Sequence, residues 1–112
     1  MKKLVSEFIG TLVLVVMGCG TAMLVGCNAA LGGGYVLTAL AFGLVIVGMA
    51  YCVGNISGCH INPARSFGPA LVALFNGNGA PIEALWVFIV GPFGGAALAA
   101  LVYKFLESEK KA

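Results

Sequence analysis

Three long apolar runs restrict this chain more than any other feature of its sequence. They lie at residues 4–26, 35–53 and 82–106, and each is close to the roughly 20 mostly apolar residues that a helix needs to cross a bilayer. The mean hydropathy of the whole chain is +1.06, far above the value that a soluble domain of this size tolerates. The sequence therefore predicts an all-α membrane protein with three transmembrane helices, in one domain covering residues 1–112.

The first apolar run follows two lysines and shares features with a cleaved signal peptide. Residues 16–19 loosely resemble a lipoprotein cleavage site. Glu7 interrupts the run early, however, and hydrophobicity continues past Cys19 to Val25. We therefore expect this run to stay in the membrane as a span.

The segment between the second and third runs predicts a re-entrant loop and half-helix, at about residues 54–76. A polar, turn-rich stretch at 54–60 precedes an apolar piece at 67–75, which as a helix would rise only about 13 Å, half the hydrocarbon thickness. Asn62 is a strong N-cap residue and Pro63 suits the first helical position, so a helix is predicted to start there. Its free N–H groups need water or protein at membrane depth. A surface loop and a buried interfacial segment are the alternatives.

Glycine and proline positions give further local expectations. Gly91 and Gly95 form a GxxxG pair on the third run, where helices are expected to pack closely. Residues 28–34, with Asn28 and three glycines, predict a turn, and Pro69 predicts a short or bent half-helix. Other glycines in the first two runs are also expected to let helices approach closely. They are Gly10, Gly18, Gly20, Gly43 and Gly48.

Charged and metal-binding residues exclude several classes of function. The net charge is +2, but the lysines lie near the two chain ends, which is typical of membrane-surface anchors and predicts no nucleic-acid partner. The four cysteines lack metal-ligand spacing, and the single histidine, His60, directly follows Cys59. We therefore expect no metal, no cofactor and no enzymatic activity. The cysteines are Cys19, Cys27, Cys52 and Cys59, and the lysines are Lys2, Lys3, Lys104, Lys110 and Lys111.

The segment SGCHINPARSFGPAL at residues 57–71 resembles the aquaporin family, whose signature is the Asn-Pro-Ala box. The segments EFIGT at 7–11 and ALAFGL at 39–44 resemble the family too, so the resemblance covers nearly the whole chain. Family members have two inverted repeats, each with two spans, a half-helix starting at a box, and a third span. This chain has one box. Up to Ala64 it is similar to the first repeat, and from Asn62 onward to the end of the second.

The resemblance implies one hybrid repeat, as if everything between the two boxes of a bacterial water-selective relative had been removed. At the box, Asn62 would donate hydrogen bonds to passing water, while Pro63 and Ala64 would shape the turn. Arg65 would be the arginine of the selectivity filter. The implied activity is passive conduction of water through a multi-pass protein of the cell membrane, with water and the lipid bilayer as its partners.

Further roles follow from the same resemblance. Phe42 corresponds to an aromatic residue that narrows the filter, and Cys59 is a weaker filter position. His60 and Glu7 would be buried supports that hold the loop against the first span. Ser66 favours water over glycerol, because glycerol-conducting relatives usually have aspartate after the arginine. The alternatives are a Glu7 that lies at the membrane interface, and a Phe42 that faces lipid or packs.

The basic residues at both ends leave the membrane orientation undecided. Three spans put the two ends on opposite sides of the membrane. Because both ends carry lysines, the bias that normally places basic residues in the cytoplasm nearly cancels. If copies insert in both directions, an antiparallel homodimer would recreate the inverted repeats and bring both Asn62 and both Arg65 side chains to one axis. A second arginine is expected to narrow that path. The alternatives are a higher oligomer, a truncated non-conducting remnant, and a small helical subunit that packs on a larger partner.

Overall fold

The computed structural model describes residues 1–27 and 33–111, and these residues are helical almost throughout, with no strand among them. The first helix continues through one π-helical turn at Val15–Cys19. The helices are α1 at Lys2–Leu14, α2 at Gly20–Val25, α3 at Gly34–Ser57, α4 at Pro63–Phe75, α5 at Ala80–Glu83 and α6 at Val87–Lys111. The turn predicted at residues 28–34 lies mostly outside the described residues.

Three helical stretches are long and apolar enough to cross a membrane. They are Lys2–Val25, Gly34–Ser57 and Ala80–Glu109. In the third stretch, turns with bonds such as Val87 N–H to the Ala84 carbonyl join α5 to α6. The prediction of an all-α protein with three membrane-length helices is confirmed.

Large apolar side chains are exposed on the outside of the helices, whereas the buried residues include several polar side chains beside a few apolar ones. Leu24 is 79% exposed and Phe75 is 77% exposed, which would be costly over a whole surface in water. The same distribution is favourable in hydrocarbon, and it identifies an integral membrane protein. The buried polar residues are Ser6, Glu7, Thr11, Thr38, Ser57 and Ser66.

Helix α1 packs against both α3 and α6, and two glycines set its distance from α6. A Cβ atom on Gly91 would lie 3.0 Å from the Leu4 carbonyl oxygen and 2.9 Å from the Glu7 Cβ. A Cβ atom on Gly95 would overlap the Phe8 carbonyl oxygen. The prediction that the GxxxG pair packs against a neighbouring helix is confirmed.

Two glycines of the first span make room for side chains from elsewhere in the chain. A Cβ atom on Gly10 would lie 2.6 Å from the Ile61 Cγ2, and one on Gly18 would lie 2.5 Å from the Phe42 ring. The expectation of close packing is wrong for three other glycines, where a Cβ atom would meet nothing within 4 Å. These are Gly20, Gly43 and Gly48.

Helix α3 continues to Ser57, so the prediction of a loop from residue 54 is wrong for residues 54–57. The helix ends where Gly58 adopts a φ of +87°, and the Gly58 N–H donates to the Gly54 carbonyl. Glycine tolerates this left-handed conformation without a steric penalty. The polar residues before Gly58 suggested a loop. The last turn of α3 is nevertheless helical, because the Ser57 hydroxyl has a buried hydrogen-bond partner in Glu7.

Helix α4 begins directly after Asn62, as predicted. Its 13 residues rise about 20 Å, which is less than the hydrocarbon thickness of roughly 30 Å. The helix continues through Pro69, although this residue cannot donate to the Arg65 carbonyl. A re-entrant position of α4 in the bilayer stays a prediction.

Candidate functional site

Asn62 caps helix α4 with its side-chain oxygen. The residue is extended, with φ −158° and ψ 110°, and its Oδ1 accepts from the Ala64 N–H at 3.0 Å and the Arg65 N–H at 3.2 Å. Pro63 takes the first helical position, where a missing N–H costs nothing. Because both bonds go to the oxygen, the exposed Asn62 amide NH₂ is left to donate to something outside the loop.

The loop before the box holds an unusual backbone conformation. Cys59 has φ +50° and Ile61 has φ +43°, and both are in the left-handed region that residues with a Cβ atom rarely adopt. Each such residue costs about 1–3 kcal/mol and persists only when its surroundings fix it. Strain of this kind is concentrated at functional sites.

Glu7 supplies those surroundings from helix α1. Its side chain is 0% exposed. Its Oε1 accepts from the Ser57 hydroxyl at 2.7 Å and from the His60 N–H at 2.9 Å, and its Oε2 accepts from the Ile61 N–H at 2.6 Å. One carboxyl group therefore connects the end of α3 and two residues of the loop to the first span. Its burial and bonds are those expected of a support residue, and the depth of Glu7 in the bilayer stays a prediction.

His60 is held on one face of its ring and at both of its nitrogens. The ring stacks on Phe88 of helix α6, with ring centroids 4.0 Å apart. Its Nδ1 lies 2.8 Å from the Ser66 Oγ, and its Nε2 lies 3.4 Å from Arg65 Nη1. Ser66 in turn donates to the Asn62 carbonyl at 3.2 Å. Burial first, and then the Arg65 guanidinium, lower the pKa of His60, so the neutral imidazole is favoured.

Arg65 lies at the open side of the box. The residue is exposed, and within residues 1–27 and 33–109 its guanidinium has one hydrogen-bond partner, His60. The first turn of α4 carries no acidic residue. The site therefore presents an amide donor, the N-terminal end of a helix and a guanidinium at one place, all of which attract acceptor atoms.

Phe42 contacts the first span at a different level from the loop. Its ring rests on Gly18, whereas the loop residue Ile61 rests on Gly10 of the same span. Eight residues of helix separate these two contacts, which corresponds to about 12 Å along the axis. The filter role that the resemblance implies for Phe42 beside Arg65 stays a prediction.

Cys59 lies in the loop itself, and it is partly buried. Its N–H donates to the Ser57 hydroxyl at 3.2 Å. Burial, and next the Glu7 carboxylate, raise the pKa of the Cys59 thiol, so it stays protonated at neutral pH. No group of three His, Cys, Asp or Glu residues converges on a metal position in the part of the chain that the structure describes.

Sequence reasoning missed three contacts that build the site. Phe88 stacks on His60 although nothing in its own sequence surroundings indicates such a contact. Ser57 bonds Glu7 across fifty residues of chain. Ser66 follows Asn62 by four positions, and this spacing on a helix was a usable signal, because a serine hydroxyl commonly bonds the carbonyl four residues earlier.

Comparison with known proteins gives matches over most of the chain. The family model described as Major intrinsic protein matches residues 1–64 and, separately, residues 61–103. The two matches share only residues 61–64, which contain the Asn-Pro-Ala box.

Several curated relatives carry the name Aquaporin Z. The protein from Rhodopseudomonas palustris is 42% identical over 103 residues, which are 91% of this chain and 41% of that protein. The protein from Brucella melitensis is 43% identical over 103 residues, 92% of this chain and 43% of that protein. The protein from Flavobacterium johnsoniae is 56% identical over 68 residues, 61% of this chain and 86% of that protein. The chain thus spans about two fifths of the length of the first two.

Proposed function

The chain belongs to the major intrinsic protein family, and from this premise we propose that it is a passive water channel of the cell membrane whose pore needs two copies. Membership supports a channel of the aquaporin type, and at the level of the family it argues against an enzyme. The relatives named Aquaporin Z support water as the permeant.

The orientation of the Asn62 amide carries this proposal. Capping uses the oxygen of the side chain, so the NH₂ group faces outward as a pure donor. A water molecule passing the box would accept from it. The adjacent end of α4 and the Arg65 guanidinium would add a positive potential that repels cations and protons.

Two copies are proposed because this chain contributes one box. Asn62 and Arg65 are both exposed on the single chain, and exposed polar groups at membrane depth need water or protein around them. An antiparallel partner would supply a second set of the same groups, related by a twofold axis. The apolar surfaces of the two copies would pack against each other where each would otherwise contact lipid.

The environment of Ser66 supports water over glycerol. Its hydroxyl is buried and bonded to both His60 and the Asn62 carbonyl. An aspartate there, as in glycerol-conducting relatives, would place a charge beside His60 in the space that a hydroxyl now fills. The loop therefore accommodates a serine at this position, the residue that water-selective relatives often carry.

The proposal predicts that Asn62→Asp abolishes water conduction. Aspartate is as good an N-cap as asparagine, so helix α4 keeps its start, but the amide donor is lost and a negative charge opposes the helix end. In stopped-flow light scattering, proteoliposomes with the unmodified chain should shrink several-fold faster than protein-free vesicles, and Asn62→Asp vesicles should shrink at the protein-free rate.

Asn76→Asp is the matched control for that experiment. Asn76 is also exposed, but it lies at the other end of helix α4, so the same chemical change should leave shrinkage unaffected. Water conduction would be contradicted if vesicles that contain folded unmodified protein shrank at the same rate as empty vesicles. That result would support the alternative, a non-conducting family member.

Dual insertion is the second testable consequence. Because lysines lie near both ends, reporter fusions at the C-terminus should divide between the two sides of the membrane in comparable amounts. Adding two lysines after Met1 should move nearly all copies to one orientation and reduce conduction. A C-terminus found on one side only in the unmodified protein would contradict the antiparallel pair.

A further inference from the structure

The contact between His60 and Arg65 fixes the direction of a chain of hydrogen bonds. A guanidinium has donors and no acceptor, so the Nε2 that lies 3.4 Å from Arg65 Nη1 accepts and carries no proton. The neutral ring then has its proton on Nδ1, which donates to the Ser66 Oγ at 2.8 Å. The Ser66 hydroxyl in turn donates to the Asn62 carbonyl at 3.2 Å.

The imidazole is packed against its neighbours, whereas its partner Arg65 is exposed. Phe88 covers one face of the ring, and a Cβ atom on Gly58 would lie 3.3 Å from its Nε2 edge. Arg65 is exposed, and in the described side chains the His60 nitrogen is the hydrogen-bond acceptor that its guanidinium contacts. Because the His60 Nε2 can accept from Arg65 only while it carries no proton, protonation of this nitrogen would break the contact.

We propose that neutral His60 is the positioning residue that holds Arg65 beside the box, and that protonation of His60 releases the arginine. The effect on conduction rests on the proposed function, whereas the contact itself does not.

The groups packed around His60 decide the sign of the effect. Among the described residues, the titratable and charged ones are Arg65 from α4, Glu7 from α1 and the neighbouring Cys59, while α6 contributes the uncharged Phe88 ring. Protonated His60 would place a second cation against Arg65. The Glu7 carboxylate would not bridge the two cations, because its oxygens already accept from three other donors. The released guanidinium would project over the box, so water permeability should fall in acid.

The titration of His60 tests the contact directly. His60 is the single histidine of the chain, so its imidazole nitrogens are unambiguous in ¹⁵N NMR of the full chain in lipid. At neutral pH the spectrum should show the Nδ1–H tautomer. Arg65→Gln should raise the titration midpoint by about one pH unit, because a nearby cation is removed, whereas Arg65→Lys should leave most of the depression in place.

A second variant tests the other ring nitrogen. Ser66→Ala removes the acceptor at Nδ1, and the tautomer mixture should shift toward Nε2–H. The proposal is overturned if the midpoint is the same in the unmodified chain and in Arg65→Gln, or if the neutral ring is mainly the Nε2–H tautomer before any substitution.

The conduction readout separates this inference from the proposed function. Permeability of the unmodified chain should decrease as the pH falls through the His60 midpoint, and His60→Phe, which keeps the stack on Phe88, should be independent of pH. If vesicles never conduct but the midpoint moves in Arg65→Gln, the channel fails and the positioning role stands. If vesicles conduct with equal rates across the titration, the release of Arg65 is wrong and the channel stands.

Discussion

Glu7→Ala is expected to collapse the loop that carries the box and to lower the free energy of unfolding by about 3–5 kcal/mol. Three donors lose the buried Glu7 carboxylate as their acceptor at once, and two of them are the backbone N–H groups of His60 and of Ile61, which has a left-handed conformation. Without its bond to Glu7, Ile61 loses the hydrogen bond that helps to hold its left-handed conformation. Glu7→Gln keeps the size and one oxygen, so its loss should be about 1.5–3 kcal/mol.

Cys59 reports on the same event. In a variant that retains only this cysteine, the thiol is partly buried and protonated, so alkylation should be slow in the parent. It should be at least ten-fold faster in Glu7→Ala, when measured in detergent together with unfolding by increasing fractions of sodium dodecyl sulfate. Glu83→Ala is the control, because Glu83 is exposed on helix α5, and it should change stability by less than about 0.5 kcal/mol. A Glu7→Ala protein with parental stability and parental alkylation would refute the role of Glu7.

The parts of the fold that sequence predicted are those governed by local physics. Each span needs only a run of apolar residues, and the start of helix α4 needs only Asn62 followed by Pro63, whose cap geometry is complete within four residues. The Gly91 and Gly95 pair was likewise predictable, because small residues four apart form one face of a helix. None of these depends on which other segment lies nearby.

The features that sequence did not predict all depend on distant partners. Ser57 stays helical because its hydroxyl reaches Glu7, fifty positions away, and polar residues near a glycine otherwise indicate a loop. The stack of His60 on Phe88 depends on the path of helix α6. Phe42 was assigned to the filter by resemblance, and its packing against Gly18 was not predicted either, because it depends on how α3 lies against the first span.

Gly95→Leu is expected to prevent helices α1 and α6 from packing, and this is the largest effect that a single substitution should have on the fold. Even a Cβ atom on Gly95 would overlap the Phe8 carbonyl and lie 2.9 Å from the Leu12 backbone nitrogen. Both are backbone atoms, so no rotamer change relieves the overlap, and the whole helix has to move. Gly95→Ala should already cost about 1–3 kcal/mol, and Gly95→Leu should not be recovered as folded protein.

Gly48 offers a matched comparison on helix α3, because a Cβ atom there meets nothing within 4 Å. Gly48→Ala should be neutral or should stabilise the helix by about 0.5–1 kcal/mol, since alanine loses less backbone entropy than glycine. Unfolding in mixed micelles, followed by fluorescence of the single tryptophan Trp86, measures both. Equal stabilities for the two alanine variants would mean that α1 and α6 do not touch at Gly95. Since α1 also holds Glu7 against the loop, a separated α6 would remove Phe88 from His60 and disturb the box as well.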